Sequence, residues 1–217
     1  MEAAKKPTPI DEGIALELKY AQWGDEQELG NLVALSFTDN SAYRYIFQEF
    51  PDDAERQTPL RWLLMRRISC FLFTGAPVIK ATTEVNGEQV IVATASLVTK
   101  KNKPGYYAMF RNGILKWPFI WGMASLKRAL SLNKSQVNRG GGAELALVVV
   151  HPDFQGKGVG TRLLRRLLDD HGKDMDLTLN TQRAINVTFY QRFGFQETSK
   201  DTVSGAYTNW YMVRPKG

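Results

Sequence analysis

The 217-residue sequence predicts a mixed α/β fold in which strands and helices do not alternate regularly. Three observations predict it. Two β-rich runs, 78–84 and 89–99, meet at Val85-Asn86-Gly87-Glu88, and Asn-Gly between such runs is the strongest short hairpin signal. Before them lies a helical stripe of Leu60, Leu63, Leu64, Ile68, Phe71 and Leu72. After them, the β-branched apolar run 143–151 feeds a glycine-rich turn and then a helix with Leu163, Leu164, Leu167 and Leu168 on one face.

The remaining elements follow in order. Residues 1–12 lack the apolar stretch of a signal peptide and read as a mobile tail; residues 13–217 read as one domain. Alternation over 14–20 predicts a first strand, broken at Gly24-Asp25. Asp25 is placed to cap a helix reaching about Phe37, on the apolar positions Leu29, Leu32, Val33 and Leu35. A second helix is predicted over 42–50, ended by Pro51, and a third over 53–73, with Pro59 near its start. Between the hairpin and residue 143 an inserted helical segment is expected around 106–133, helical over 114–132 despite Pro118. Downstream come a strand at 175–180, a helix at 184–193 with Gly194 as its C-terminal cap, and two strands at 195–199 and 207–213.

Composition bounds the function. The hydrophobic fraction of 43% and charged fraction of 23% are those of a globular protein. The single cysteine, Cys70, excludes an internal disulfide and a cysteine-rich metal site, and it reads as a small buried hydrophobe. Two separated histidines offer no ligand cluster, so no metal is expected. A cytoplasmic setting is expected. The net charge of +6 is unevenly spread: no Asp or Glu occurs from Gln89 to Ala143, while Lys100, Lys101, Lys103, Arg111, Lys116, Lys127, Arg128, Lys134 and Arg139 do. Such a field favours anionic ligands.

The glycine-rich turn is Gln155-Gly156-Lys157-Gly158-Val159-Gly160, followed by Thr161. Glycine lets the backbone approach a ligand closely, and the first N–H groups of the following helix sit unpaired at the positive end of its dipole. Such a turn suits phosphate or pyrophosphate. A P-loop requires Ser or Thr after the lysine, but Gly158 follows Lys157; the dinucleotide fingerprint requires Gly-x-Gly-x-x-Gly, and the spacing here is Gly-x-Gly-x-Gly. What remains is Gln-x-x-Gly-x-Gly directly after a strand ending in Val-x-Pro. A second signature, Asn186-Val-Thr-Phe-Tyr190 leading to Gly194-Phe195, comes after the next strand.

Together these two stretches, covering 143–199, resemble the Gcn5-related N-acetyltransferase (GNAT) superfamily. The resemblance implies a mixed, mostly antiparallel sheet of six to seven strands, with the strands holding Val148 and Leu177 as parallel neighbours splayed to admit acetyl-coenzyme A. It implies that the main chain of Val148, Val149 and Val150 pairs with the pantetheine amides. It further implies that Gln155, Gly156, Lys157, Gly158, Val159, Gly160 and Thr161 hold the pyrophosphate, that Asn186 contacts the coenzyme, and that Tyr190 protonates the departing thiolate. Glu144, four residues before Val148, falls where the histone acetyltransferase branch carries its catalytic glutamate. The competing reading makes it an exposed strand-start residue, and His151 and His171 are the alternative bases.

The expected activity is transfer of an acetyl group from acetyl-coenzyme A to a primary amine by direct attack in a ternary complex. A small-molecule amine is the expected acceptor and a protein the second choice, with no nucleic acid, no stable membrane insertion, and a monomer or homodimer. The aromatic insert (Tyr107, Phe110, Trp117, Phe119 and Trp121) is expected to wall the acceptor site, unless Trp117 and Trp121 only anchor it to the core. The residues 39–50 are expected opposite. Two other functions compete: a coenzyme A-binding module without turnover, and a basic protein that binds nucleic acid or a membrane surface through residues 100–139.

Overall fold

The computed structural model describes residues 14–135 and 142–217. The expected tail at 1–12, and Gly140-Gly141 before the central strand, lie outside the described residues. Seven strands form one sheet in the order β1-β2-β3-β4-β5-β7-β6. They are β1 Glu17–Tyr20, β2 Val78–Val85, β3 Glu88–Val98, β4 Ala143–Val150, β5 Leu177–Thr181, β6 Gln196–Val203 and β7 Tyr207–Arg214. Every neighbouring pair is antiparallel except β4 with β5. The mixed, mostly antiparallel sheet is as expected.

Both hairpins are set by their turns. Asn86 and Gly87 each have positive φ, the geometry that matches the right-handed twist of the flanking strands. Ser204 and Gly205 do the same between β6 and β7. The edges carry charge: β1 is short and holds Glu17 and Lys19, while β6 is exposed along most of its length and holds Glu197, Lys200 and Asp201. Such edges resist pairing with a further chain.

Each face of the sheet has its own core. On one face lie α1 Glu26–Ser36, α2 Ser41–Ile46 and α3 Asp53–Phe73, whose Leu29, Val33, Ile46, Leu60, Leu64 and Ile68 pack on Leu147 and Val149. On the other lie α7 Val159–His171 and α8 Ala184–Gln191, where Leu163, Leu164, Leu167 and Tyr190 pack on Ala93, Ala143, Leu145 and Leu177. The insert supplies α4 Tyr106–Arg111, α5 Trp117–Ile120 and α6 Met123–Ser135 on the first side. Among the described residues no helix is long and apolar enough to cross a membrane.

The expected elements are present, with four physical corrections. Asp25 does not cap α1 with its side chain; its carboxylate instead accepts from the Gln22 amide at 2.8 Å and from Lys80 Nζ at 2.7 Å. The helix expected over 42–50 stops at Ile46; Asn40 caps it, accepting from the Ala42 amide at 2.9 Å. The helix expected over 114–132 is broken, because Gly122 takes the left-handed conformation between α5 and α6. The strand expected at 195–199 continues to Val203, the charged half of an edge strand that alternation does not reveal.

Two irregularities interrupt β4. Ser96 pairs with Leu147 and Leu97 with Leu145, so Ala146 is an extra residue, a β-bulge. At the strand's entry, a Cβ on Gly142 would lie 1.7 Å from the Asp176 carbonyl oxygen, and the next residue's amide donates to that same oxygen at 2.9 Å. Only glycine fits where β4 meets the turn before β5. Gly142→Ala is therefore expected to destabilise the fold by about 1–3 kcal/mol, the usual cost of overpacking. Chemical denaturation measures it, and an unchanged midpoint would show that the two segments are not in contact.

Candidate functional site

β4 and β5 part almost as soon as they meet. Their parallel pairing is confined to Ala143 with Leu177 and Glu144 with Thr178, although β4 runs on to Val150. Beyond Glu144 the β5-facing edge of β4 is not closed by sheet pairing, while its other edge stays paired to β3. The wedge expected between the strands holding Val148 and Leu177 is present. The backbone there is an open ladder edge, able to hydrogen-bond an extended ligand as an added strand would.

The glycine-rich turn lies just past the end of β4. Pro152–Phe154 forms a single 3-10 turn, stiffened by the Asp153 amide donating to His151 Nδ1 at 3.3 Å. Gln155 turns back, its Nε2 donating to the Val150 carbonyl at 3.1 Å. Ser36 on α1 donates to the same carbonyl at 3.3 Å. The first backbone bond of α7 runs from Arg162 to Gly158, so the six successive amides from Gly156 to Thr161 have no partner among the described residues. With no acidic residue in the first turn of α7, these N–H groups and the helix dipole make a site for an anion.

The glycines of the turn do different things. Gly156 and Gly158 have φ of 73° and 74°, with open space where a Cβ would stand, so their requirement is conformational. Gly160 has an ordinary helical backbone, but its Cβ would stand 3.2 Å from Val150 Cγ2 and 3.6 Å from the Phe189 ring. Its requirement is close approach: the first turn of α7, the end of β4 and α8 converge there. Lys157 lies over the Phe154 ring at 5.4 Å and is exposed.

On α8, Asn186 donates from Nδ2 to Thr181 Oγ1 at 3.0 Å, fixing the helix start to the end of β5. Tyr190 is 8% exposed, its ring set against Phe189 and Phe195. Its hydroxyl has no hydrogen-bond partner among the described residues, and burial pushes its pKa up from the ordinary tyrosine value. The phenol therefore stays protonated, and able to donate, well past about pH 10.

Glu144 sits half-buried at the last paired step, the vertex of the wedge. Its neighbours Ala143 and Leu145 face the α7 side, so by strand alternation Glu144 faces the α3 side. It makes no hydrogen bond or ion pair among the described residues. His151 is engaged in the turn. His171 lies at the far end of α7, roughly 20 Å from the glycines by helix rise, with its Nε2 2.9 Å from the Tyr20 hydroxyl. Neither histidine lies at the vertex.

Several residues had no local signal. Arg67 on α3 donates to the Ala146 carbonyl at 3.2 Å, so it holds the bulge. Asn40, Gln182 and Asn209 form a chain, at 3.2 Å and 2.6 Å, that ties α2 to the ends of β5 and β7. Tyr207 is buried beside Tyr45, its hydroxyl without a partner among the described residues and its pKa pushed up by burial. Each depends on long-range packing that spacing does not show.

The aromatic wall is not as expected. Trp117 is buried, stacked on Phe47, and donates to Ser125 Oγ at 2.8 Å. Trp121 packs edge-on against Phe50 and Trp62. These two anchor the insert to the core. Tyr107, Phe110 and Phe119 are exposed instead. The segment 39–50 does not stand opposite the insert but is fastened to it: Arg128 donates to the Ile46 carbonyl and pairs with Glu49.

Residues 120–197 match the family model of the acetyltransferase (GNAT) domain. Among solved structures, the fold is similar to one from Corynebacterium glutamicum described as histone acetyltransferase HPA2 and related acetyltransferase. The identity is 19%, the TM-score 0.68, and 94% of this chain and 98% of that one are covered. It is also similar to the PaiA N-acetyltransferase of Thermoplasma acidophilum, solved in complex with coenzyme A, at 13% identity and a TM-score of 0.54, covering 93% and 99%. An N-acetyltransferase from Staphylococcus aureus aligns at 13% identity and a TM-score of 0.52, covering 91% and 99%. No curated protein matches. The GNAT resemblance of the Gln155–Gly160 turn and the Asn186–Phe195 stretch is thus borne out, by family match across those motifs and by fold across the sheet.

The two kinds of glycine separate experimentally. Gly158→Ala is expected to lower stability by about 1–2 kcal/mol, the cost of holding an L-residue in the left-handed region, without displacing a neighbour. Gly160→Val is expected to be destabilising through Val150, and a Val150→Ala change on the same chain should recover part of the loss. Equal effects of Val150→Ala in the two glycine backgrounds would contradict the contact.

Proposed function

We propose that this chain moves the acetyl group of acetyl-coenzyme A to the primary amine of a small molecule, by direct attack in a ternary complex. The observation that carries the reading is the wedge between β4 and β5, with six amides of the glycine turn, unpartnered among the described residues, just past the end of β4. Acetyl-coenzyme A supplies an activated thioester. The donors present fit it: an open strand edge for pantetheine amides, and a helix N-terminus without acidic residues for pyrophosphate.

In this reading Val148, Val149 and Val150 receive the pantetheine through their main chain. Gln155, Gly156, Lys157, Gly158, Val159, Gly160 and Thr161 hold the pyrophosphate, mostly by backbone N–H groups, and Gln155's side chain shapes the turn through Val150. Asn186, already fixed to Thr181, offers its remaining amide groups to the coenzyme. Glu144 takes the proton that the acceptor ammonium must lose before attack. Tyr190 gives its proton to the departing thiolate. A main-chain N–H of β4 near the bulge steadies the oxyanion.

A small acceptor is favoured by the surrounding charge. A basic protein tail would need acidic walls. Asp39, Glu49 and Asp53 on the α2–α3 side are each paired with arginine, to Arg183, Arg128, and Arg44 with Arg56.

Thiol release with a panel of amines tests the whole reading, beside calorimetry with coenzyme A. Binding without turnover on any amine would leave a coenzyme-binding module; absence of binding would remove the wedge as the site. Tyr190→Phe is expected to lower turnover by roughly 10²–10⁴-fold with coenzyme affinity retained. Because burial raises the Tyr190 pKa, the wild-type rate should show no alkaline fall below about pH 10 from this group. Glu144→Gln should lower kcat similarly near neutral pH and recover as pH approaches the amine's own pKa; a uniform loss at all pH values would make Glu144 structural.

A further inference from the structure

The insert buries one set of side chains against the fold and leaves another, largely apolar, set exposed. Inward, Ala108, Trp117, Ser125 and Ala129 are buried, and Cys70 Sγ meets the Ala108 carbonyl at 3.4 Å. Outward, α4 presents Tyr106, 85% exposed, with Tyr107 and Phe110; α5 presents Phe119, 90% exposed, with Ile120; α6 presents Met123 and Leu130. Among the described residues only Tyr107 of this set has a ring partner, Phe73, itself exposed. Single exposed apolar residues are ordinary, but this many on three consecutive helices mark a surface for something else.

Charge says what that something is. Lys100, Lys101, Lys103, Arg111, Lys116 and Lys127 are exposed in or beside the same segment, and none has an ion-pair partner among the described residues. No Asp or Glu lies between Gln89 and Ala143 to oppose them. The partner is therefore anionic and also accepts apolar side chains. Nucleic acid would use the aromatic rings, but Ile120, Met123 and Leu130 have no face on which a base can stack. A second copy joined through this patch would set lysine against lysine across the two-fold axis, which is repulsive.

We propose that the outer face of α4, α5 and α6 docks on an anionic lipid bilayer surface, with Phe110 and Phe119 entering the interface and Lys103 and Lys116 meeting headgroups. The docked chain would lie on the membrane surface; among the described residues no helix is long and apolar enough to cross it. This docking is independent of the proposed acetyl transfer and stands or falls separately.

Sedimentation with phosphatidylcholine vesicles, with and without phosphatidylserine, tests it on the full chain. The wild type is expected to sediment with the serine-containing vesicles and weakly with the others. Phe110→Ser with Phe119→Ser should abolish this. Lys103→Gln and Lys116→Gln should each weaken it by about five-fold, with added salt acting in the same direction. Both sets change exposed positions, so thermal unfolding and coenzyme A affinity should stay as in the wild type. Should the phenylalanine pair fail to fold, the lysine variants alone decide, and unchanged sedimentation in both would overturn the proposal. So would no sedimentation of the wild type, or sedimentation unaffected by the phenylalanine changes. It would also fail if single-stranded RNA competed fully and bound the phenylalanine variant equally well, or if light scattering showed a dimer that the same variant dissolves.

Discussion

The candidate site depends on the early end of hydrogen bonding between β4 and β5. A parallel pair buried in a sheet ordinarily keeps its ladder, because unpaired backbone groups away from water are costly. Here pairing stops after two positions, yet both strands remain ordered. They stay so because each is held from its other edge, β4 by β3 and β5 by β7, and by separate cores above and below. The open edge is therefore an outcome of how the rest of the sheet is fixed. Gly142 sits at the hinge of this parting, where no side chain fits, and Arg67 occupies the carbonyl of the bulge just beyond it.

The glycine-rich turn extends the same logic. The amides of Gly156 to Thr161 have no partner among the described residues while the turn itself is held by other bonds, from Gln155 and Ser36 to Val150 and from Asp153 to His151. The donors are thus aimed by a rigid frame that does not use them, which is what an anion site needs to bind without reordering the loop. Gly160 lets the first turn of α7 come close to Val150 at the end of β4, so the turn is seated directly beside the wedge's edge strand.

What could be read in advance was whatever a local pattern encodes. The 78–99 hairpin was announced by Asn86-Gly87, α3 by its apolar stripe, and the strand-turn-helix around Gly158 by glycine spacing. Local patterns misled where a residue had a stronger distant partner. Asp25 resembles a cap, but Lys80 arrives from β2 and takes its carboxylate. Trp117 and Trp121 resemble the lining of a pocket, but Phe47, Phe50 and Trp62 arrive from two other elements and enclose them. The bulge at Ala146, Arg67 on its carbonyl, and the Asn40–Gln182–Asn209 chain join residues far apart in sequence, and no spacing rule announces such contacts.

The bulge at Ala146 also divides the chemistry proposed for the site. Ala143 and Leu145 face the α7 side, which turns Glu144 toward α3; after the extra residue, Val148 and Val150 pack toward the α7 side and Leu147 and Val149 toward α3. Tyr190 belongs to the α7–α8 core. The carboxylate and the phenol thus lie on opposite faces of the sheet. An acid and a base set side by side would share a proton and blunt one another. In the proposed reading the strand holds them apart, Tyr190 kept neutral by burial and Glu144 half-buried at the vertex, so that each would serve its own proton transfer. An acceptor amine would then arrive from the α3 side and the thiol leave from the other. On this proposal the register of a single strand sets which face would receive the substrate, and the pleat and one extra residue set that register.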